Sequence, residues 1–111
     1  MSKKILLIGA AYKKNVNDLR ESPVLKIIDY FLKNKIQFSY NDDFIKRIET
    51  KKFKKKINSI KLNKNSIKKF DITLLLTDHD YINQNLILKN SKIIFDTRNL
   101  FKKDYNNVFK I

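Results

Sequence analysis

Short apolar runs, each followed by polar residues, organise the chain. KILLIG (residues 4–9), DITLLLTD (residues 71–78) and KIIF (residues 92–95) are rich in Ile and Leu. Continuous apolar runs of this length predict strands that are buried on both faces, which is typical of parallel sheets.

Helical spacing follows the first run. Ser22 is a favoured capping residue, Pro23 suits a first helical turn, and apolar residues then recur at helical spacing to about Asn34. We predict further strands at residues 36–40 and in NNVFKI, and helices at residues 65–70 and 81–88. The Lys-rich residues 41–63 fit a short helix, an edge strand or a mobile loop. The alternation predicts an α/β fold: a single Rossmann-like open, mostly parallel sheet with helices on both faces, in one domain over residues 1–111.

Charge and composition narrow the class of protein. A net charge of +14 suits nucleic-acid binding, but the cations are scattered and the abundance of Lys, Ile and Asn is typical of A+T-rich coding. We therefore do not expect a nucleic-acid partner. The chain has no Cys and one His, which leaves little material for a metal site. No apolar run approaches the roughly 20 residues of a membrane span, so we expect a cytoplasmic protein without a membrane partner.

Candidate chemistry lies where the strands end, because open α/β sheets bind ligands at the carboxyl ends of their strands. The first strand leads into GAAYKKN, which has one Gly where the dinucleotide fingerprint needs three, so a classical NAD site is not expected here. Tyr12, Lys13 and Lys14 stand in place of the glycines. Their side chains are suited to packing on a ligand and to pairing with its phosphate.

Two of the three arginines also lie in these segments. Arg20 and Arg98 can offer the planar fork that grips a carboxylate or phosphate, which Lys cannot. Each could equally form a structural ion pair, with the neighbouring residues Asp18, Glu21 or Asp96.

Asp42 and His79 are weaker candidates. Asp42 follows the second strand, where an acidic residue binds ribose in dinucleotide folds, but without the fingerprint we expect it to start a turn. His79 could be a general base, yet it has no nucleophile or metal partner in the sequence. We expect a loop histidine that is fixed by the adjacent Asp78 or Asp80.

Four ordered motifs carry a resemblance to a known family. ILLIGAAYKKNVNDLRESPVLKIIDYFL, SYNDDFI, LLLTDHDY and IIFDTRN resemble the C-terminal, UDP-binding domain of the UDP-glucose/GDP-mannose dehydrogenase family, closest to its UDP-N-acetylhexosamine branch. The resemblance implies an oxidoreductase domain of polysaccharide biosynthesis that holds the UDP part of a nucleotide sugar. It implies substrate contacts by Tyr12, Lys13 and Arg98, and contact of Arg20 with NAD bound to a neighbouring subunit.

The resemblance assigns no catalytic residue to this chain. Enzymes of the family oxidise a sugar alcohol to a carboxylate through a thioester on a Cys, with NAD bound mainly by a domain that has no counterpart in these residues. We therefore expect no dehydrogenase activity from this polypeptide alone, and a separate chain could supply the NAD-binding domain. The alternatives are a noncatalytic remnant of the domain or a basic nucleic-acid-binding module.

Overall fold

Five strands form the central sheet of the computed structural model, which describes residues 3–11, 13–15, 19 and 22–111. These strands are β1 (Lys4–Ile8), β2 (Gln37–Asn41), β5 (Ile72–Leu75), β6 (Ile94–Asp96) and β7 (Val108–Lys110). They are parallel and are ordered β2-β1-β5-β6-β7. The predicted Rossmann-like α/β fold is confirmed, including the short last strand.

Helices cover both faces of this sheet, as predicted. They are α1 (Val24–Lys33), α2 (Lys64–Lys68) and α3 (Gln84–Asn90). Leu7 of β1 packs with α1 in one hydrophobic cluster, whereas Leu6 and Ile8 face the opposite cluster, which contains residues of α2 and α3. Because side chains alternate along a strand, β1 is buried on both sides, which explains its uninterrupted apolar sequence.

The Lys-rich segment after β2 folds as a β-hairpin, a structure that its sequence did not specify. Strands β3 (Arg47–Thr50) and β4 (Lys55–Asn58) pair antiparallel in a sheet of their own. Ile48 points into the cluster under α1, and residues 51–54 form the exposed turn. Ile48 and the partly buried Ile57 are thus the apolar contacts of the hairpin strands with this cluster, which is too little apolar periodicity to be recognised in the sequence.

The remaining differences from the predicted elements are small shifts of their ends. Helix α1 has Pro23 at its N-cap position, and the Ser22 hydroxyl one residue earlier accepts the Val24 N–H at 3.2 Å. The same hydroxyl donates to the Ala10 carbonyl at 2.7 Å, which ties the start of α1 to the end of β1. None of the helices in the described part of the chain is long and apolar enough to cross a membrane.

Candidate functional site

Gly9 determines how the chain leaves β1. Its φ is +94°, and a Cβ at this position would lie 2.4 Å from the Thr77 Cβ and 2.6 Å from the Thr77 backbone nitrogen. Its own N–H donates to the Asn41 carbonyl at 2.8 Å. The chain's one glycine is therefore placed where the ends of β1, β2 and β5 meet and leave no room for a side chain.

The buried carboxylate of Asp42 accepts hydrogen bonds from two segments. Its Oδ2 accepts the N–H groups of Ala10 and Ala11 at 2.7 and 3.0 Å, and its Oδ1 accepts those of Phe44 and Ile45 at 2.8 and 3.2 Å. The second pair confirms that Asp42 starts a turn. The sequence did not predict the first pair. In a dinucleotide fold, the amides that follow the first strand bind pyrophosphate, whereas here the protein's own carboxylate binds them.

His79 is the second buried polar residue of this rim. Its Nε2 lies 2.8 Å from Asp42 Oδ2, and its Nδ1 accepts the Asn15 N–H at 2.7 Å. These contacts assign the proton of the neutral imidazole to Nε2. The expected fixation by Asp78 or Asp80 is wrong, because β2 and β5 both flank β1 and bring His79 to Asp42 instead.

Aromatic rings enclose the imidazole. The ring of Phe44 lies 4.8 Å from that of His79, and Tyr81 stacks on it at 5.3 Å with an interplanar angle of 17°. The Tyr81 hydroxyl accepts the Asp43 N–H at 3.0 Å and donates to Asn41 Oδ1 at 2.8 Å. Burial raises the pKa of Tyr81 well above its usual value, so the phenol stays protonated and keeps donating.

Arg98 is held at the carboxyl end of β6. Asp96, which is buried, accepts the Arg98 and Phe101 N–H groups at 3.0 and 2.9 Å, so this carboxylate organises the turn after the strand. The Arg98 Nε donates to the Leu76 carbonyl at 2.8 Å. The guanidinium is thereby anchored beside the end of β5, at the rim that the sequence predicted.

Lys13 and Lys14 lie exposed on the loop after β1, and Lys14 Nζ is 3.9 Å from Asp80 Oδ1. Tyr12 and Arg20, which the sequence also singled out, lie outside the described residues.

A cavity of about 470 Å³ opens at the same rim, a volume within the range of small-molecule sites. Its lining combines cations, carboxylates and polar side chains and includes Lys14, Lys102, Lys103, Asp78, Asp80 and Asn99. Lys102 and Lys103 were not among the predicted site residues, although they closely follow the DTRN motif. Over the described ranges, no group of three or more His, Cys, Asp or Glu side chains could hold a metal ion.

Comparison with known proteins identifies the family. The model of the UDP-glucose/GDP-mannose dehydrogenase family, UDP binding domain, matches residues 6–103. The chain belongs to this family. Its UDP-binding domain is thus represented by the sheet, the helices and the rim described above.

Relatives of this UDP-binding domain agree with that assignment. The chain is 33% identical over 104 residues to the UDP-N-acetyl-D-mannosamine dehydrogenase of Methanococcus aeolicus, covering 86% of this chain and 22% of the relative. It is 34% identical over 108 residues to the enzyme of that name from Methanococcus maripaludis, covering 89% of this chain and 23% of the relative. The chain therefore spans less than a quarter of the length of these relatives.

Solved structures show the same fold. UDP-D-ManNAc dehydrogenase from Pyrococcus horikoshii superposes with a TM-score of 0.71 over 98% of this chain and 25% of that chain, at 23% identity. The UDP-N-acetyl-mannosamine dehydrogenase of Staphylococcus aureus gives 0.70 over 99% of this chain and 26% of that chain, at 22% identity.

Proposed function

We propose that residues 1–111 form one domain that binds the UDP part of a nucleotide sugar at the carboxyl rim of the sheet. Tyr12, Lys13 and Arg98 contact the substrate, and Arg20 reaches NAD on a neighbouring subunit. The anchoring of Arg98 carries this proposal. Its Nε is held by the Leu76 carbonyl, which aligns a guanidinium beside the rim of a domain whose family is defined by UDP binding.

The electrostatics of the rim support a diphosphate ligand. Lys13 lies on the loop after β1, and in the lining of the cavity Lys14, Lys102 and Lys103 outnumber the carboxylates of Asp78 and Asp80. Flexible ammonium groups and one oriented guanidinium together suit a ligand that carries several phosphate oxygens, because Arg fixes geometry while Lys supplies charge.

Isothermal titration calorimetry with UDP tests this proposal. We expect Lys13→Ala and Arg98→Ala each to weaken binding by roughly 10- to 100-fold, the loss of one charge-assisted hydrogen bond. Lys26→Ala removes the same charge from the exposed side of α1 and is the matched control, with unchanged affinity expected. Absence of UDP binding, both by the chain and by a complex with a partner chain, would contradict the proposal.

The oxidation itself, we propose, needs an NAD-binding domain and a catalytic Cys in addition to residues 1–111, which a separate chain could supply. The family's thioester chemistry requires a Cys, which this sequence lacks, and the chain corresponds to only 22% of the Methanococcus aeolicus relative. We expect the purified chain with NAD and a UDP-sugar to form no NADH by absorbance. Steady NADH formation by the chain alone would refute this part of the proposal.

A further inference from the structure

We propose that Asp42 and His79 act as a clasp that fixes the described residues of the loop after β1, 10–11 and 13–15, and thereby positions Lys13 for its ligand. The functional half of this inference rests on the proposed UDP binding. Neither clasp residue needs to touch the ligand, so both are positioning residues. Their side chains are fully buried, at 0% exposure each.

The clasp holds the loop at both of its ends. At the first end, Asp42 Oδ2 accepts the N–H groups of Ala10 and Ala11. At the far end, His79 Nδ1 accepts the Asn15 N–H. The two clasp residues are joined by a hydrogen bond of 2.8 Å between His79 Nε2 and Asp42 Oδ2. Lys13 lies between the two points at which the clasp holds the loop.

Additional contacts make the two ends unequal. The first end is also held by Thr77, whose hydroxyl donates to the Ala11 carbonyl at 2.8 Å. At the far end, Asn15 adopts a φ of +61°, a left-handed conformation that Asn tolerates better than most residues. Its side-chain amide donates to the exposed Asp80 carboxylate, and its side-chain oxygen accepts the Asp80 backbone N–H. Since a hydrogen bond to an exposed carboxylate competes with water, the buried His79 acceptor is the stronger restraint on Asn15.

Two substitutions separate the halves of the clasp. His79→Asn keeps an acceptor at the δ position for the Asn15 N–H and loses the contact with Asp42. His79→Gln keeps a donor at the ε position for Asp42 and loses the δ acceptor. Both remove the ring that packs against Phe44 and Tyr81, so we expect both variants to lose stability to a similar extent.

Amide hydrogen exchange and UDP affinity, measured on both variants, show whether His79 positions the loop after β1 or only stabilises the fold. We expect His79→Gln to raise the exchange rate at residues 13–15 about tenfold and to weaken UDP binding about tenfold relative to His79→Asn, the effect of one hydrogen bond. A purely structural His79 would give equal exchange and equal affinity in the two variants, which would overturn the inference.

The wild-type chain provides a test that does not depend on the stability of any variant. His79 is the only His in the sequence, so its imidazole ¹⁵N signals in nuclear magnetic resonance are unambiguous. We expect the Nε2–H tautomer with an unprotonated Nδ1, and a protonated Nδ1 in the neutral ring would overturn the clasp. If the wild type fails to bind UDP, the proposed function fails, while the tautomer and the exchange rates still decide whether the clasp exists.

Discussion

Gly9→Ala tests the geometry on which the rim depends. The φ of +94° lies outside the left-handed region that L residues tolerate, and the added Cβ would meet the backbone of Thr77 at 2.6 Å. Left-handed strain costs about 1–2 kcal/mol and overpacking about 1–3 kcal/mol, so we expect a loss of about 2–5 kcal/mol in the free energy of unfolding. The crowding atoms are the Cβ, N and Cα of Thr77, two residues after β5, and a change of rotamer moves none of them.

Urea denaturation followed by circular dichroism measures this loss. At an m-value of ~2 kcal/mol/M, the midpoint falls by ~1–2.5 M. Lys54→Ala is the matched control, because it places Ala at a φ of +53° in the exposed turn of the hairpin, where a Cβ is already present. We expect the control to change stability by less than about 0.5 kcal/mol. A Gly9→Ala variant within about 1 kcal/mol of wild type would show that the loop relaxes and that the packing argument is wrong.

Three further substitutions test single contacts. Ser22→Ala removes a buried hydroxyl that donates to Ala10 and should cost about 1–2 kcal/mol in urea denaturation; no loss would show that the tie between β1 and α1 is dispensable. Burial raises the pKa of both Tyr40 and Tyr81, so folding stability should fall as pH rises above their ordinary value of 10.0. Tyr40→Phe should reduce this loss of stability in thermal melts, and an unchanged loss would contradict the role of Tyr40. The Lys4 N–H lowers the pKa of Asp71 below 3.8, so the ionised carboxylate stabilises the fold above that pH, and this stabilisation is lost on further acidification. Asp71→Asn should therefore reduce the loss of folding stability at acid pH. An unchanged loss would contradict the role of the Lys4–Asp71 hydrogen bond.

The sequence predicted the elements whose signal is local. Strand β1 is an uninterrupted apolar run because both of its faces are buried, and α1 repeats apolar residues every three to four positions because one side packs on the sheet. The β3–β4 hairpin escaped prediction for the opposite reason. It buries Ile48 and the polar Thr50 but exposes most of its other side chains, so no alternation of apolar residues distinguishes its sequence from a loop.

The candidate site was predicted where charge and strand ends coincide, as for Arg98 and Lys13. It was missed where a residue's partner is remote in sequence: Asp42 and His79 are 37 positions apart, and their pairing follows from the order of strands β2, β1 and β5. Sequence reasoning assigned His79 to its nearest carboxylates because spacing along the chain was the available evidence. Only the strand order could have led to Asp42.

The pairing of Asp42 with the amides of Ala10 and Ala11 has a consequence for engineering. Replacing the loop after β1 with a glycine-rich sequence would restore backbone flexibility, yet it would not create a dinucleotide site. A fixed negative charge already occupies those amides at 2.7 and 3.0 Å, and an incoming pyrophosphate would be repelled by it. A redesign for NAD would have to neutralise Asp42 first, and His79 would then need a new acceptor for its Nε2 proton.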